Sequence, residues 1–555
     1  MPRVQRGIVV PAPLGQVRDN VVVTPLQVGA PTPAAPASAA AAPYGPAVAA
    51  RFAEPSTQYS TPGLAPERRG FTTNSELGQW LHNIANAAPR GPTQASVLQL
   101  GASQQGEPIL GLLLTRAKGM DMASLEANGR STVVLIGQQH GDEPAGSEAL
   151  LVVARELAQG LLEPLLDRIN VVVIPRANPD GATNGNRTTA NGVDMNRDHL
   201  LLNTPEARAL ARVVRDYRPI LVLDAHEFTV AGRYLQKFNA IQRYDALLQY
   251  TTTANYHEFL TKASQEWYHQ PMLGALQSQG MSSEWYYTTS TQPDDKRISM
   301  GGVQPDTGRN VNGLKNAVSL LVETRGVGLG RLHIQRRVHT QVTTITSALR
   351  STAERAADLE QVRSYVARDT ASKACKGQVV IEAQATPMQR ELTMLDPDTG
   401  ADRTLKVDWN SSLALRPVKS RPRPCGYWLA AHATAAVERL QMLGVQVLRI
   451  AEPGALLADT YHETARETTE RTDVRGTIAG GSSIIRTQVT PVRSAIDVPA
   501  GSFYVPLNQG LAHLAVAALE PDTQSSYFAN RLIDELGSTA RVMTVPSLVF
   551  EESDE

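Results

Sequence analysis

Polar side chains able to do acid, base or metal chemistry stand in this chain where apolar runs end. "VVLIGQQHGDE" sets His140 and Glu143 three positions apart after one run, and "LVLDAHE" closes another on His226. "SLLVETRG" closes a third on Glu323, while "VVVIPRANPDGATNGNRTTANGVDMNRD" carries Arg187, Asp194, Asn196 and Arg197 behind a fourth. Alone, a histidine and a glutamate three apart on a loop are ordinarily solvated, and a histidine ending an apolar run is as readily a hydrogen-bonded core residue. Two imidazoles and one carboxylate converging from separate strand ends are different. That donor set suits one catalytic zinc ion with a water in the open position, so His140, Glu143 and His226 are the expected ligands.

A zinc-bound water with its pKa lowered to ~7 still needs a base to take its proton and return it to a leaving amine. Glu323 is the candidate, although a salt bridge to Arg325 would also account for it. A tetrahedral oxyanion calls for a cation that does not titrate, which Arg187 supplies. Arg197, flanked by Asn196, has the fork that grips a substrate carboxylate. Asp194 either orients a ligand histidine from behind or serves a turn.

The elements that must position these groups alternate in type. Short β-like runs, "SVLQLG", "ILGLLLT", "STVVLIG", "INVVVIP", "PILVLDAH" and "AVSLLVETRG", are separated by helical stretches near 147–158 and 205–216. Continuous apolar strands with helices between them predict an α/β sheet covered on both faces, with ligands at the carboxyl ends of the strands. Residues 1–65, rich in Ala and Pro, are expected to be a tail or linker, and 66–330 the zinc-dependent catalytic domain. Residues 331–374 read as a helical connector, with Val338, Val342, Ile345 and Leu349 at helical spacing. Residues 375–555 read as a smaller β-rich accessory domain, opened by a hairpin around "DPDTG".

The 555 residues, 42% hydrophobic and 19% charged with a formal net charge of -1, describe a globular protein and give no footprint for nucleic acid. No apolar run approaches the ~20 residues of a membrane span. The start, "MPRVQRGIVVPAPLGQ", shows no continuous apolar signal core. Cys375 and Cys425 either pair, as in an exported protein, or remain two inert thiols. The reading leans to export, periplasmic or secreted, and nothing in the pattern sets an oligomeric state.

HxxE at 140–143, NPDG at 178–181, GVDMNR at 192–197, a strand-end His226 and a strand-end Glu323 together resemble the zinc carboxypeptidase family of carboxypeptidase A and its relatives. The resemblance spans roughly residues 70–330. It implies a mixed, mainly eight-stranded sheet flanked by helices, one Zn2+, and hydrolysis of the C-terminal amide bond of peptides. It also implies the roles assigned above: His140, Glu143 and His226 as ligands, Glu323 as general base, Arg187 at the oxyanion, and Asn196 with Arg197 on the terminal carboxylate. In place of the arginine that digestive members carry between the zinc His and Glu, this chain has "HGDE", similar to the murein peptide amidase and succinylglutamate desuccinylase/aspartoacylase branches. The alternative function is therefore a zinc amidohydrolase acting on N-acyl amino acids or cell-wall peptides. The family's substrate-capping tyrosine has two candidates here, Tyr286 and Tyr287, and stays unassigned.

Overall fold

Val and Ile, branched at Cβ, fit a pleated surface, and an apolar run with no polar alternation must be covered on both sides. The computed structural model, which describes residues 42–87 and 91–551, places these runs in one eight-stranded sheet. Its strands are β1 (Gln94–Ala102), β2 (Pro108–Thr115), β3 (Ser131–Gly137), β4 (Ile169–Ile174), β5 (Leu221–Thr229), β6 (Ala246–Tyr250), β7 (Ser283–Trp285) and β8 (Val318–Val327). Across the sheet they lie in the order β1-β2-β4-β3-β5-β8-β6-β7. β4, β3, β5 and β8 run parallel at the centre, and β2 and β6 join them antiparallel. The expected mixed sheet is thus present.

Alternate residues of the central strands feed different cores, as a period of two requires. Val133 and Leu135 of β3 pack with helices Asn74–Ala87, Pro144–Gln159 and Ile334–Ser372. Val134 and Ile136 face Leu210, Val213 and Val214 of helix Pro205–Tyr217. Each Val or Leu taken fully out of water contributes about 1.5–3 kcal/mol, so this double-covered sheet is the rigid frame from which the strand-end loops project. Helix Pro144–Gln159 opens on a proline, whose missing N–H is no loss in a first turn. Its Gly146 lies where a Cβ would stand 2.9 Å from the Ala225 carbonyl oxygen, which lets the helix press onto β5 beside His226.

Of the stretch expected to be a tail, residues 1–41 lie outside the described residues and 42–65 pack onto the body. Tyr44, Val48 and Phe52 are buried against Phe228, Tyr234 and Leu247. The Arg325 guanidinium stacks 3.4 Å over the Phe52 ring. Aromatic side chains at the end of the Ala/Pro run supply the burial that the run itself lacks.

Helix Ile334–Ser372 is 39 residues long and bends at Arg355. Val338, Ile345 and Leu349 are buried at the spacing read from the sequence. Beyond it, Gln378–Leu395 and Asp402–Pro422 form the expected hairpin, which also pairs with the short strands Ile241–Gln242 and Ile298–Met300. A six-stranded antiparallel sheet follows, and a two-stranded hairpin, Thr472–Asp473 with Gly476–Thr477. Cys375 and Cys425 form a disulfide. No helix among the described residues is long and apolar enough to cross a membrane.

Candidate active site

The parallel order β4-β3-β5-β8 brings the carboxyl ends of four strands to one edge, and every site residue read from the sequence sits on or just beyond that edge. His140 and Glu143 lie in the loop between β3 and helix Pro144–Gln159. The loop turns sharply, with Gln138 at a left-handed φ of 47°. A Cβ on Gly141 would fall 1.9 Å from the Gly181 backbone. The glycine of "HGDE" is therefore required by close backbone passage, which is a steric reason for the residue independent of any substrate.

Glu143 is the hub. Its Oε1 lies 2.7 Å from Nδ1 of His140 and its Oε2 lies 2.7 Å from Nδ1 of His226. The Glu227 backbone N–H also donates to Oε2 at 3.0 Å. The two imidazole centroids are 4.8 Å apart, and their Nδ1 atoms 3.2 Å. Behind each ring stands a carboxylate: Asp194 Oδ1 is 3.0 Å from His140 Nε2, and Asp224 Oδ2 is 2.9 Å from His226 Nε2. Carboxylates that take the outer N–H fix the tautomer, leaving the inward Nδ1 lone pairs free to bind a cation. One donor atom from each of His140, Glu143 and His226 falls within 4.8 Å of the others. Two inward nitrogens facing one carboxylate, each ring backed by an acid, is a donor set that fits a single divalent cation such as zinc. Burial works to raise the Glu143 carboxyl, yet the imidazoles beside it hold it well below the ordinary range.

Glu323 stands in β8 directly opposite His226 of β5 in the parallel ladder. It lines the cavity with Tyr286 and Arg309 and makes no side-chain hydrogen bond or ion pair among the described residues. Arg325 is not its partner. That guanidinium donates to the carbonyls of Gln242 and Tyr244. Burial, reinforced by the Glu143 charge, raises the Glu323 carboxyl to about 7.

Arg187 is fixed by Asp194, to which Nε and Nη2 donate at 3.1 and 2.8 Å, and its Nη1 points at the donor cluster, 3.4 Å from Glu143 Oε1. Asp194 thus holds both a candidate ligand and a candidate oxyanion cation, in addition to accepting from the Asn196 N–H at 3.1 Å as a turn residue would. Asn196 and Arg197 also reach the cavity. Their hydrogen-bonding groups are engaged within the chain: Asn196 Oδ1 accepts from the Gly308 N–H at 2.9 Å, and Arg197 donates twice to Asp473 Oδ2, at 3.0 and 2.6 Å. Tyr286 lines the cavity half-buried, its hydroxyl pushed up to about 12 by burial and the Glu323 charge. Tyr287 is buried between the Tyr234 and Trp409 rings.

Several functional neighbours escaped the sequence reading. Asp224 sits two residues before His226 on the same strand face, a spacing that could have marked it. Asp142, whose buried Oδ1 has no hydrogen-bond partner among the described residues, lines the same cavity. Glu227 is locked by Arg337 through bonds of 2.8 and 3.0 Å, and Gln341 donates to the His226 carbonyl at 2.9 Å. No local signal links residues more than 100 positions apart. The "YHEF" stretch at 256–259 has a structural role. His257 caps helix Glu258–Ala263 by accepting from the Phe259 N–H.

Comparison with known proteins bears on this geometry. Residues 78–298 match the model of a family described as zinc carboxypeptidase, a span that holds His140, Glu143, Arg187, Asn196, Arg197 and His226 and stops before Glu323. Carboxypeptidase 2 of Trichophyton rubrum is 27% identical over 399 residues, 71% of this chain and 72% of that protein. Carboxypeptidase 2 of Trichophyton equinum is 26% identical over 482 residues, 85% of this chain and 87% of that protein. Carboxypeptidase D of Mus musculus is 29% identical over 228 residues, 34% of this chain and 16% of its own length.

Proposed function

Since residues 78–298 belong to the zinc carboxypeptidase family and the chain is a zinc-dependent hydrolase of that kind, we propose that it removes the last residue of peptides with Glu323 as general base and one Zn2+ per chain. The observation that carries this reading is the uncommitted Glu323 carboxylate, one strand across from His226 and facing the converged donor atoms.

His140, Glu143 and His226 would hold the zinc, which when bound supplies a Lewis acid that polarises the scissile carbonyl and acidifies water beside it. Glu323 takes the proton from the attacking water and hands it to the leaving amine. A carboxyl poised near neutrality can do both, because neither protonation state is strongly preferred. Arg187, kept in place by Asp194, points a permanent cation at the position where negative charge develops on the carbonyl oxygen. Burial of His140, Glu143 and His226 keeps bulk water from screening these charges.

A peptide is the substrate we favour over a small N-acyl amino acid, since the relatives matched over most of their own length carry the name carboxypeptidase. The Cys375–Cys425 bond supports export, because such bonds persist in oxidising compartments.

The test is mass spectrometry of a peptide pool with free and amidated C-termini, incubated with zinc-loaded and with chelated protein. Zinc-dependent loss of single residues from free C-termini is expected. Intact peptides in the presence of stoichiometrically bound zinc would overturn the reading.

A further inference from the structure

The hairpin Thr472–Thr477 reaches the cavity from far along the chain and changes its charge. Arg197, expected to receive a substrate carboxylate, already holds one. Its Nε and Nη2 donate to Asp473 Oδ2 at 3.0 and 2.6 Å, and its Nη1 donates to the Asn196 carbonyl at 2.7 Å. A largely buried pair of opposite charges presents little net field to an incoming anion.

Two residues on, the same hairpin brings Arg475 to the cavity wall, where Arg233 of helix Arg233–Phe238 also stands. The Arg475 backbone is pinned there. Its N–H donates to Asp473 Oδ1 at 2.7 Å, and its carbonyl accepts from the Thr291 N–H at 2.9 Å and hydroxyl at 3.1 Å. The turn passes through Gly476 at φ 128°, with Thr291 Oγ1 only 2.9 Å from where a Cβ would be, so no other residue fits it well. Arg233 donates to the Thr289 carbonyl at 3.0 Å. Neither guanidinium has a carboxylate partner among the described residues. Burial and then the Arg475 charge lower the Arg233 guanidinium from its ordinary value, a strain that an anion between the two would relieve.

We propose that Arg475 and Arg233 are the seat for a carboxylate of the substrate's last residue, Asp473 having engaged Arg197. The inference rests on the carboxypeptidase reading of the cavity. The carboxylate is the main-chain one or, where the last residue is acidic, that of its side chain, and the substrates below separate the two.

Arg475→Gln and Arg233→Gln are made in the full chain, with circular dichroism and melting temperature as controls of folding. Three peptides differ only in their last residue: leucine, leucinamide and glutamate. Arg475→Gln is expected to lower kcat/KM for the leucine acid about 10- to 100-fold, chiefly through KM, and to leave the amide unaffected. A loss confined to the glutamate peptide supports the seat and assigns it to the side-chain carboxylate. Unchanged rates on both acids, with Asp473→Asn accelerating them, would overturn the proposal, because the substrate would then be displacing Asp473 from Arg197. Binding of free leucine, glutamate and leucinamide to the zinc-loaded protein, followed by calorimetry, needs no turnover. Acids that bind through Arg475 while no peptide is cleaved would keep the seat and refute the carboxypeptidase reading. Equal affinity for leucine and leucinamide, with no gain for glutamate, would refute the seat.

Discussion

Glu323 and His226 are register partners in adjacent parallel strands, so the spacing of the sheet itself fixes the distance between the proposed base and a proposed metal ligand. In such a ladder neighbouring strands are about 4.8 Å apart. A base held that way needs no loop movement to be in place.

Glu323→Gln keeps the shape of the side chain and removes its proton capacity. Turnover of a C-terminal peptide should fall by about 10²–10⁴-fold, while zinc measured by elemental analysis remains at one per chain. A variant retaining wild-type kcat would exclude Glu323 as the base.

Arg187 and Asp194 should separate in their effects although they touch. Arg187→Ala is expected to cost about 10²–10³ in kcat with zinc affinity little changed. Asp194→Asn, which weakens the hold on His140 as well, should lower zinc affinity about 10- to 100-fold. Competition with a chromogenic chelator, run beside the kinetics, reads both. Identical losses in the two variants would argue that Asp194 acts only through Arg187.

Chelation should lower the melting temperature, since the donor atoms of His140, Glu143 and His226 converge only in the folded chain. At a free zinc concentration 100 times the dissociation constant the linkage amounts to about 2.7 kcal/mol. Calorimetric scans across a zinc titration test this, and a melting temperature independent of zinc would contradict the site.

His513 gives an acid-sensitive contact outside the cavity that holds the proposed site. Its Nε2 accepts from Arg423 Nη1 at 3.0 Å, and burial, with the Arg423 and Lys373 charges, lowers it to about 3. The folded pKa lies below the unfolded value of about 6.5, so between the two the unfolded chain binds the extra proton. Stability is lost as pH falls from about 6.5 towards 3. Relative to His513→Gln, the wild-type protein should lose on the order of 2 kcal/mol between pH 7 and pH 4, measured by urea unfolding. A constant difference across that range would show that the imidazole titrates normally.

Strand ends were the legible part of this site. His140, Glu143, His226 and Glu323 each follow an apolar run whose burial the sequence announces, and the sheet then brings the four together. The eight-stranded sheet itself came from the family resemblance rather than from the runs. Asp473 was not legible, because its partner Arg197 is 276 positions away and no periodicity connects a small hairpin to a cavity. Composition likewise emphasised Ala and Pro up to residue 50 over Tyr44 and Phe52, the side chains that hold that stretch to the body. The need for Gly141 was not legible either, since it comes from the backbone of Gly181, 40 positions away.

The long helix Ile334–Ser372 bears on how this enzyme can be divided. Its Arg337 neutralises Glu227 and its Gln341 supports the carbonyl of His226, so it stands directly behind the proposed zinc ligands. Arg337→Ala would leave Glu227 as a buried charge with no counterion, at about 3–5 kcal/mol, and a gene trimmed after codon 330 would lose that counterion together with the wall behind it. Three residues beyond the helix, Cys375 is bonded to Cys425, which carries the tie into the next sheet. Modular boundaries drawn from the catalytic motifs alone would cut through the scaffold that makes those motifs work.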